Sequence, residues 1–369
     1  MHLGELRRVR AAEEEAMAFV PSRCPNTACP QHREPEGRFY YRHGVYRPRC
    51  RDGAVPRFRC RRCGKAFSPQ TFRHDYRDRK PEHNEQVFHL LSSGVGLRQI
   101  GRVTGLAPSS VQMKMRKMGR TCRWLHRNLC RTLPAGKTYL LDEEETYEGA
   151  SIRTVTMPVV IERESWFVIA VTAGPTRRLA ARGTRRRLWQ ERDERRRGRR
   201  RDRSKTCVRQ VLNRLRQVSA EGSLVLRTDE KSSYRAVARQ LFGDRLLHET
   251  TLGSLARTTA NPLFAINTTI AMTRDNCGRL RRRSWLVSKR CLCLRLQMHV
   301  FVAYRNYVRQ RFNRDADRQL SSAASLGLLP RALSVGELLR WRQDWGQRSN
   351  HPLSLLGERA VADSMSEPA

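Results

Sequence analysis

TYLLDEEETYEG, residues 138–149, is a short apolar run that leads directly into four consecutive acids, Asp142 to Glu145. Apolar, β-branched and aromatic residues in short runs are typical of β-strands. Two more such runs follow, SIRTVTMPVVIE at 151–162 and SWFVIAVTAG at 165–174. The pattern predicts a sheet in which the apolar part of the first strand ends at Asp142.

A second strand is predicted to end in the same way. In SLVLRTDEKSSY, residues 223–234, Asp229 closes an apolar run. If the two strands are neighbours, the two carboxylates lie side by side and can hold divalent cations. A pair of such ions about 3.5–4 Å apart can activate a water molecule and stabilise a leaving oxygen. Taken singly, acids at strand ends are more often merely solvated. The other acids nearby are expected to be solvated or to lie behind the metal ligands; they are Glu143, Glu144, Glu145 and Glu230.

The charge of the chain indicates a polyanionic partner. Lys and Arg number 73 against 35 Asp and Glu, a formal net charge of +38. Such an excess favours nucleic acid, although a basic ribosome-associated or histone-like protein would share it. No apolar run approaches the roughly 18 residues that span a bilayer, and the first residues lack the apolar segment of a secretory signal. We therefore expect a cytoplasmic, nucleoid-associated protein without a membrane partner.

Two cysteine pairs predict a metal site. CPNTAC holds Cys24 and Cys29, and CRRCGK holds Cys60 and Cys63, followed by Gly64, which relaxes the turn. Two such pairs supply the four thiolates of a structural Zn²⁺ site, so residues 23–80 are predicted to form a zinc ribbon. The alternatives are four ordinary thiols, or replacement of one ligand by Cys50 or His32. The remaining cysteines are expected to be buried small residues: Cys122, Cys130, Cys207, Cys277, Cys291 and Cys293.

A helix-turn-helix is predicted within residues 81–133. In SSGVGLRQIGRVTGLAPSSVQMKMRKMGR, residues 92–120, Gly105 suits the turn and Pro108 the first turn of the second helix. The inner faces are expected to hold Leu97, Ile100, Val103, Val111 and Met115. The side chains expected to face solvent or DNA are Arg98, Ser109, Ser110, Gln112, Lys114 and Lys117. Such a module also occurs as a plain packing unit.

The remaining segments complete five predicted regions. Residues 1–22 are predicted to form an N-terminal helix, and 134–313 a domain with a basic insertion at 176–205 and a long helical stretch from about 262 to 313. Because it contains RRRGRRRDR, the insertion is expected to be disordered alone and to become ordered on DNA. Residues 314–369 are predicted to be a C-terminal tail. The fold class is α+β and multidomain.

An ordered set of motifs resembles the transposases of the insertion-sequence-one type, a branch of the DDE superfamily. The cysteine pairs are followed by GVGLRQIGRVTGL at 94–106, and DEEETYEG and TDEKSSY come next. A basic box, RLRRRSWLVSK at 279–289, and YRNY at 304–307 complete the set, and the resemblance covers roughly residues 23–313. It implies a ribonuclease-H-like α/β catalytic domain with a mixed sheet.

The resemblance also implies residue roles. Asp142 and Asp229 would be the first two catalytic acids and would bind Mg²⁺ or Mn²⁺. The third acid of the family falls on Asn267, a weaker metal ligand because it carries no charge; Glu249 and Asp275 are alternatives. The basic box would contact phosphates through Arg281, Arg282, Arg283 and Lys289.

The expected function is that of a DNA transposase. It would bind element ends and target in double-stranded DNA, as a homo-oligomer, and catalyse metal-dependent strand cleavage and strand transfer. Asn267 keeps open the alternative of an inactive, transposase-derived DNA-binding protein. A zinc-ribbon RNA-binding protein is a third interpretation.

Overall fold

The computed structural model describes residues 19–49, 53–281 and 285–344. Within these ranges the chain forms two compact units, residues 19–85 with 336–344, and residues 86–335. The predicted N-terminal helix falls almost wholly outside the described residues. No helix in the described part of the chain is both long and apolar enough to cross a membrane.

The first unit is built on a small antiparallel sheet. Its strands are β1 (Tyr40–Tyr46), β2 (Val55–Cys60) and β3 (Ala66–Phe67), with β2 in the middle, and a short helix α1 (Pro30–Arg33) precedes them. Aromatic rings fill its core around Phe58, which is 2% exposed. Residues 341–344, which the sequence suggested were part of a tail, return to this unit, since the Gln343 N–H donates to the Phe72 carbonyl at 2.8 Å.

Three helices lead into the second unit: α2 (Asn84–Ser92), α3 (Leu97–Thr104) and α4 (Pro108–Leu129). Gly105 ends α3 with φ 67°, and Pro108 occupies the first turn of α4, as predicted. Ile100 is buried, but Val103 is 59% exposed, so its assignment to the inner face is wrong. The buried face of α3 instead holds Ile100, Gly101 and Thr104.

Helix α4 continues well beyond a short recognition helix because it packs closely on helix α9 (Cys291–Ala303). A Cβ built on Gly119 would meet the Leu296 carbonyl oxygen at 2.4 Å, so glycine is needed there. Val111 and Met115 are buried, as predicted. Lys114, predicted to face solvent or DNA, is only 5% exposed, which corrects that expectation. The packed face of α4 is therefore wider than its apolar residues indicate.

A mixed sheet forms the centre of the second unit. Its strands are β4 (Thr138–Glu148), β5 (Ala150–Glu162), β6 (Val168–Val171), β7 (Gly174–Pro175), β8 (Leu224–Asp229) and β9 (Leu246–Thr251). The order is β6-β5-β4-β8-β9, and β7 pairs with β5. The pairs among β4, β5 and β6 are antiparallel, whereas β8 runs parallel to both β4 and β9.

Helices connect and cover these strands. They are α5 (Arg185–Arg197), α6 (Ser204–Val218), α7 (Ser232–Phe242), α8 (Phe264–Asn276) and α9, and a π-helical turn, Tyr304–Val308, follows α9. A short helix, α10 (Ser322–Ser325), comes last in this unit, and α11 (Val335–Arg340) belongs to the first unit except for its first residue. The long helix predicted over 262–313 is interrupted between α8 and α9. A Cβ on Gly278 would meet the Gly94 carbonyl oxygen at 2.6 Å, so the chain turns there against a neighbouring segment.

The basic insertion is ordered in this structure, which corrects the expectation that it is disordered alone. Helix α5 occupies its middle, and three ion pairs tie the insertion together or to the sheet. They are Arg153–Asp193 at 2.9 Å, Arg177–Glu194 at 2.7 Å and Arg200–Glu148 at 3.2 Å. The acids within and beside the arginine run therefore offset its self-repulsion.

The main core lies between the sheet and helices α8 and α9. Leu140 of β4, Met157 of β5, Ile266 and Ile270 of α8, and Phe301 of α9 are all buried in it. Because side chains alternate along a strand, Asp142 and Glu144 lie on the same face of β4 as Leu140. This packing places α8 over the acidic end of β4.

Candidate functional site

The two aspartates predicted to be catalytic lie at matching positions on neighbouring strands. Strands β4 and β8 pair in parallel, with Tyr139 opposite Leu226 and Leu140 opposite Arg227. Two further residues along each strand lead to Asp142 and Asp229. The carboxylates therefore belong to the same end of the same strand pair.

Asp142 is partly buried, and burial raises the pKa of its carboxyl to about 6. The negative charges of Asp229 and Glu143 act in the same direction, whereas the Glu143 N–H, which donates to Asp142 Oδ1 at 2.6 Å, and the positive charge of Arg257 lower the pKa. Within the described residues Asp142 makes no ion pair. The site therefore gathers negative charge without a fixed cation.

Asp229 is held at the junction of β8 and α7. Its Oδ1 accepts a hydrogen bond from the Lys231 N–H at 3.0 Å, which fixes the turn into the helix. Among the residues that the structure describes, no Lys or Arg forms an ion pair with Asp229 either. Neither carboxylate is therefore neutralised by a cationic side chain among these residues.

Glu143 points to the opposite face of β4, where it forms a separate polar network. Its carboxylate accepts from the Lys231 ammonium at 2.7 Å and from the Thr156 hydroxyl. Tyr234 is buried beside it, and burial together with the charges of Glu143 and Asp142 raises the pKa of its phenol. No sequence pattern pointed to Lys231, Thr156 or Tyr234, although the TDEKSSY motif contains Lys231 and Tyr234.

Glu144 is 2% exposed and forms an ion pair with Arg274 of α8, so it is not solvated. Glu145 pairs with Arg178 at the surface, and Glu230 is exposed and accepts from the Gly253 N–H at 3.4 Å. Of the three, only Glu144 is removed from solvent, and it connects β4 to α8.

Asn267 lies on α8, half-buried, seven residues before Arg274. At 3.6 residues per turn, seven residues are close to two turns, so the two side chains share a face of the helix. Arg274 reaches Glu144 on β4, and Asn267 therefore lies on the side of α8 that faces this strand. Its role as third ligand stays a prediction.

The alternative third acids do not join the aspartates. Glu249 of the edge strand β9 forms an ion pair with Arg227, which lies two residues before Asp229 on β8, and Asp275 is exposed. Among the described residues, the group of three or more His, Cys, Asp or Glu ligand atoms within 4.8 Å of one another is the cysteine cluster. Neither acid therefore completes a three-carboxylate site in this conformation.

The four predicted cysteines come together in the first unit. The sulfurs of Cys24 and Cys63 are 3.6 Å apart, and those of Cys29 and Cys60 are 4.0 Å apart. Cys24, Cys29 and Cys60 are buried, whereas Cys63 is exposed. The four thiols form a group that could hold a metal ion.

Local backbone geometry builds this cluster. Gly64 has φ 68° and its N–H donates to the Cys60 carbonyl at 3.0 Å, as the sequence suggested for the turn. Burial would raise the pKa of the Cys63 thiol, but hydrogen bonds from the Lys65 N–H and the Asn26 side chain outweigh it and lower the pKa to about 7. One cluster member thus forms a thiolate readily near neutral pH.

The alternative ligands are separate from the cluster. His32 Nδ1 is 2.7 Å from the Cys24 carbonyl oxygen, and the ring is not in the ligand group. Cys50 lies outside the described residues. Of the other cysteines, five are buried, as predicted, whereas Cys291, which was also predicted to be buried, is half-buried.

The predicted DNA-facing residues differ in their accessibility. Arg98, Ser109, Ser110, Arg281 and Lys289 are exposed, and Lys117 is half-buried. Gln112 is also half-buried, with its amide 3.9 Å from the Cys293 sulfur. Arg282 and Arg283 lie outside the described residues. Beside them Trp285 is 96% exposed, a residue that the sequence analysis did not single out.

Comparison with known proteins adds no assignment. No protein-family model matches the chain. No curated protein matches it either. The resemblance to insertion-element transposases therefore rests on the ordered motifs of the sequence alone.

Proposed function

We propose that the protein is a DNA transposase that binds element ends and catalyses metal-dependent strand cleavage and strand transfer. The observation that carries the proposal is the placement of Asp142 and Asp229 at matching ends of β4 and β8. Three antiparallel strands, then two parallel strands joined through helices, are the ribonuclease-H-like arrangement implied by the resemblance. This sheet supports the assignment of residues 134–313 as the catalytic domain.

The donor set fits a divalent cation. Two partly buried carboxylates lie near each other without an ion-pair partner among the described residues, and hard cations favour carboxylate oxygens. Asp142 and Asp229 would hold Mg²⁺, or Mn²⁺, and Asn267 would add a neutral amide oxygen. When bound, the metal would activate a water or hydroxyl and stabilise the leaving oxygen of a phosphodiester.

The side chains of the protein orient the reacting groups and do not themselves form a covalent bond to DNA. Asp142 and Asp229 orient the site at which a strand is hydrolysed, and the freed 3′-hydroxyl then attacks target DNA by in-line displacement. No covalent enzyme intermediate is formed. The Glu143–Lys231 contact holds the start of α7 on β4 and so fixes the turn that carries Asp229.

Exposed cationic groups support DNA as the partner. Arg98, Arg281 and Lys289 are exposed, and so are Arg192, Arg195 and Arg196 of the basic insertion. Such side chains bind phosphates and so release counterions, while Ser109 and Ser110 at the start of α4 are available to base edges. A homo-oligomer on DNA follows from the need to hold two element ends at once.

Zn²⁺ is the proposed occupant of the cysteine cluster. A tetrahedral site with Zn–S bonds of about 2.3 Å places sulfurs about 3.8 Å apart. The observed separations, 3.6 and 4.0 Å, bracket that value. Because four cysteines close the coordination shell, the ion would be structural and would stabilise the ribbon that we assign to DNA binding.

Asn267 favours a second candidate, a catalytically inactive, transposase-derived DNA-binding protein. An amide in the third position removes one negative charge from the metal site and weakens it. In that case the ribbon and the helix-turn-helix would still bind DNA. The two candidates therefore differ in cleavage and agree in binding.

Strand cleavage tests the proposal. A plasmid carrying the DNA that flanks the gene, with any inverted repeats, is incubated with the protein and Mg²⁺ or Mn²⁺, and the products are mapped. We expect metal-dependent nicks at the element ends that leave 3′-hydroxyl groups. Intact DNA in both metals, with binding retained, would identify the regulator. Tighter binding to structured RNA than to duplex DNA would favour the RNA-binding interpretation.

A further inference from the structure

A groove in the second unit gathers arginines. It has a volume of about 490 Å³ and lies among α4, α6, α9 and the edge strand β6. Four arginines line it: Arg123, Arg127, Arg214 and Arg295. No carboxylate lines it within the described residues. We refer to it as the arginine groove.

The floor and the remaining walls of the groove are apolar or carry neutral polar groups. Ile169, Val171, Leu296 and Val302 provide apolar surface, and Thr172, Gln210 and Asn213 provide neutral polar groups. A concave site with an apolar floor and a few convergent polar groups is typical of small-ligand binding, and the volume lies within the usual range. Neither Asp142 nor Asp229 lines it, so the groove is separate from the candidate catalytic site.

None of the four arginines forms an ion pair with a carboxylate of the residues that the structure describes. Burial, together with the charges of Arg127 and Arg295, lowers the pKa of Arg123. Burial also lowers the pKa of His299 in the same groove to about 3, and nearby cationic groups contribute. Burial is the main cause of both shifts, and the neighbouring arginines add to them in the same direction.

Arg214 is held in place by backbone carbonyl groups near the end of α4. Its Nη2 donates to the Cys130 carbonyl at 2.6 Å and to the Arg127 carbonyl at 3.3 Å. Its buried Nε has no partner among the described residues. A buried donor without an acceptor is unfavourable, and an anion in the groove would relieve both this and the mutual repulsion of the arginines.

We propose that the arginine groove binds a phosphate-bearing ligand of about the size of one nucleotide. Guanidinium groups match phosphate oxygens in geometry and charge, and the apolar floor can accept the face of a base. The ligand is either a free nucleotide or a nucleotide of a DNA strand, because the two share this chemistry.

Binding to the full-length protein, without added divalent metal, tests the proposal. The probes are ATP, AMP, adenosine and a five-residue single-stranded oligonucleotide, titrated calorimetrically. We expect the phosphorylated probes to bind and adenosine not to bind. In Arg123→Gln/Arg295→Gln, the loss of two charge-assisted contacts should weaken binding by about tenfold or more. The matched control is Arg235→Gln/Arg239→Gln on α7, which removes two exposed charges outside the groove.

Gln210→Glu provides an independent variant. It places a carboxylate in the groove at an exposed position, so folding is preserved and binding should weaken as well. If the groove variants bind ATP and AMP more weakly than the wild type does, free nucleotides are the ligand. If the variants lose affinity only for the oligonucleotide, the ligand is a DNA strand. Equal affinities in the groove variants and the control overturn the proposal. Since no cleavage is measured, the result is independent of the proposed transposase activity.

Discussion

Arg274 of α8 holds the carboxylate of Glu144 of β4 in a two-point contact. Its Nε donates to Glu144 Oε1 at 2.9 Å and its Nη2 donates to Oε2. Glu144 lies two residues beyond Asp142, and Arg274 lies seven residues beyond Asn267. This one contact therefore holds α8 against the strand that carries Asp142.

Arg274→Met should destabilise the second unit. It would leave the Glu144 carboxylate, 2% exposed, without its partner, and breaking a buried pair costs about 3 kcal/mol or more. Denaturant unfolding followed by circular dichroism measures the change. Arg178→Met, which breaks the exposed pair with Glu145, should cost less than about 1 kcal/mol. Equal losses of stability in the two variants would show that the buried Arg274–Glu144 pair contributes no more than an exposed ion pair.

Cys24→Ser should remove the metal and unfold the first unit. Metal analysis of protein purified without chelator should find about one zinc per chain in the wild type, and zinc binding contributes about 10 kcal/mol to the folding of such small sites. Cys291→Ser, outside the cluster, should keep the zinc. Wild-type protein without zinc, combined with unchanged folding of Cys24→Ser, would exclude a structural metal.

Acid should destabilise the second unit through His126. Its ring Nε2–H donates to the Ile169 carbonyl at 2.9 Å and its Nδ1 accepts from the Tyr307 hydroxyl at 2.8 Å. Burial lowers the pKa of His126 from 6.5 to about 4. Between those pH values the unfolded chain binds the extra proton, so the contribution is complete above pH 6.5 and is lost as the pH falls toward 4.

The expected loss from this histidine between pH 7 and pH 5 is about 2 kcal/mol. Urea unfolding at both pH values measures it. His126→Gln keeps a hydrogen-bonding side chain but does not titrate, so its stability should depend less on pH. His43→Gln, at an exposed position of β1, should retain the full dependence. An identical pH dependence in His126→Gln and the wild type would contradict this assignment.

Local patterns predicted the parts of the site that depend on local structure. Apolar runs located β4 and β8, and the acid at the end of each run located Asp142 and Asp229. Pairs of cysteines on tight turns located Cys24 with Cys29 and Cys60 with Cys63. In each case the side chain lies within a few residues of the pattern that indicates it, so the sequence alone was sufficient to locate these side chains.

Contacts between distant segments could not be predicted in this way. The Glu144–Arg274 pair joins residues 130 apart, and acids beside a predicted strand end give no sign of which arginine will reach them. The burial of Lys114 depends on the packing of α4 on α9, and Val103 is exposed because the inner face of α3 is formed by Gly101 and Thr104. The order in the basic insertion depends on Arg153 and Glu148, which lie outside it.

Asn267→Glu should restore the charge that the third position lacks. If the wild type is active, it should need a high Mg²⁺ concentration or prefer Mn²⁺, which accepts neutral ligands more readily. The variant should reach half-maximal cleavage at a lower metal concentration. Thr268→Glu is the matched control, because it adds the same charge about 100° further round α8. If Asn267→Glu behaves like this control, the third ligand has been misassigned.

The affinity of the protein for Mn²⁺, measured by electron paramagnetic resonance, tests most directly the claim that Asp142 and Asp229 hold one metal site together. Wild-type protein, Asp142→Asn, Asp229→Asn and Asp244→Asn are compared, the last being an exposed aspartate away from the site. The structure predicts bound Mn²⁺ in the wild type and in Asp244→Asn, with affinity at least about tenfold weaker in each of the other two, because each removes a carboxylate ligand. Unchanged Mn²⁺ binding in Asp142→Asn and Asp229→Asn would contradict the claim.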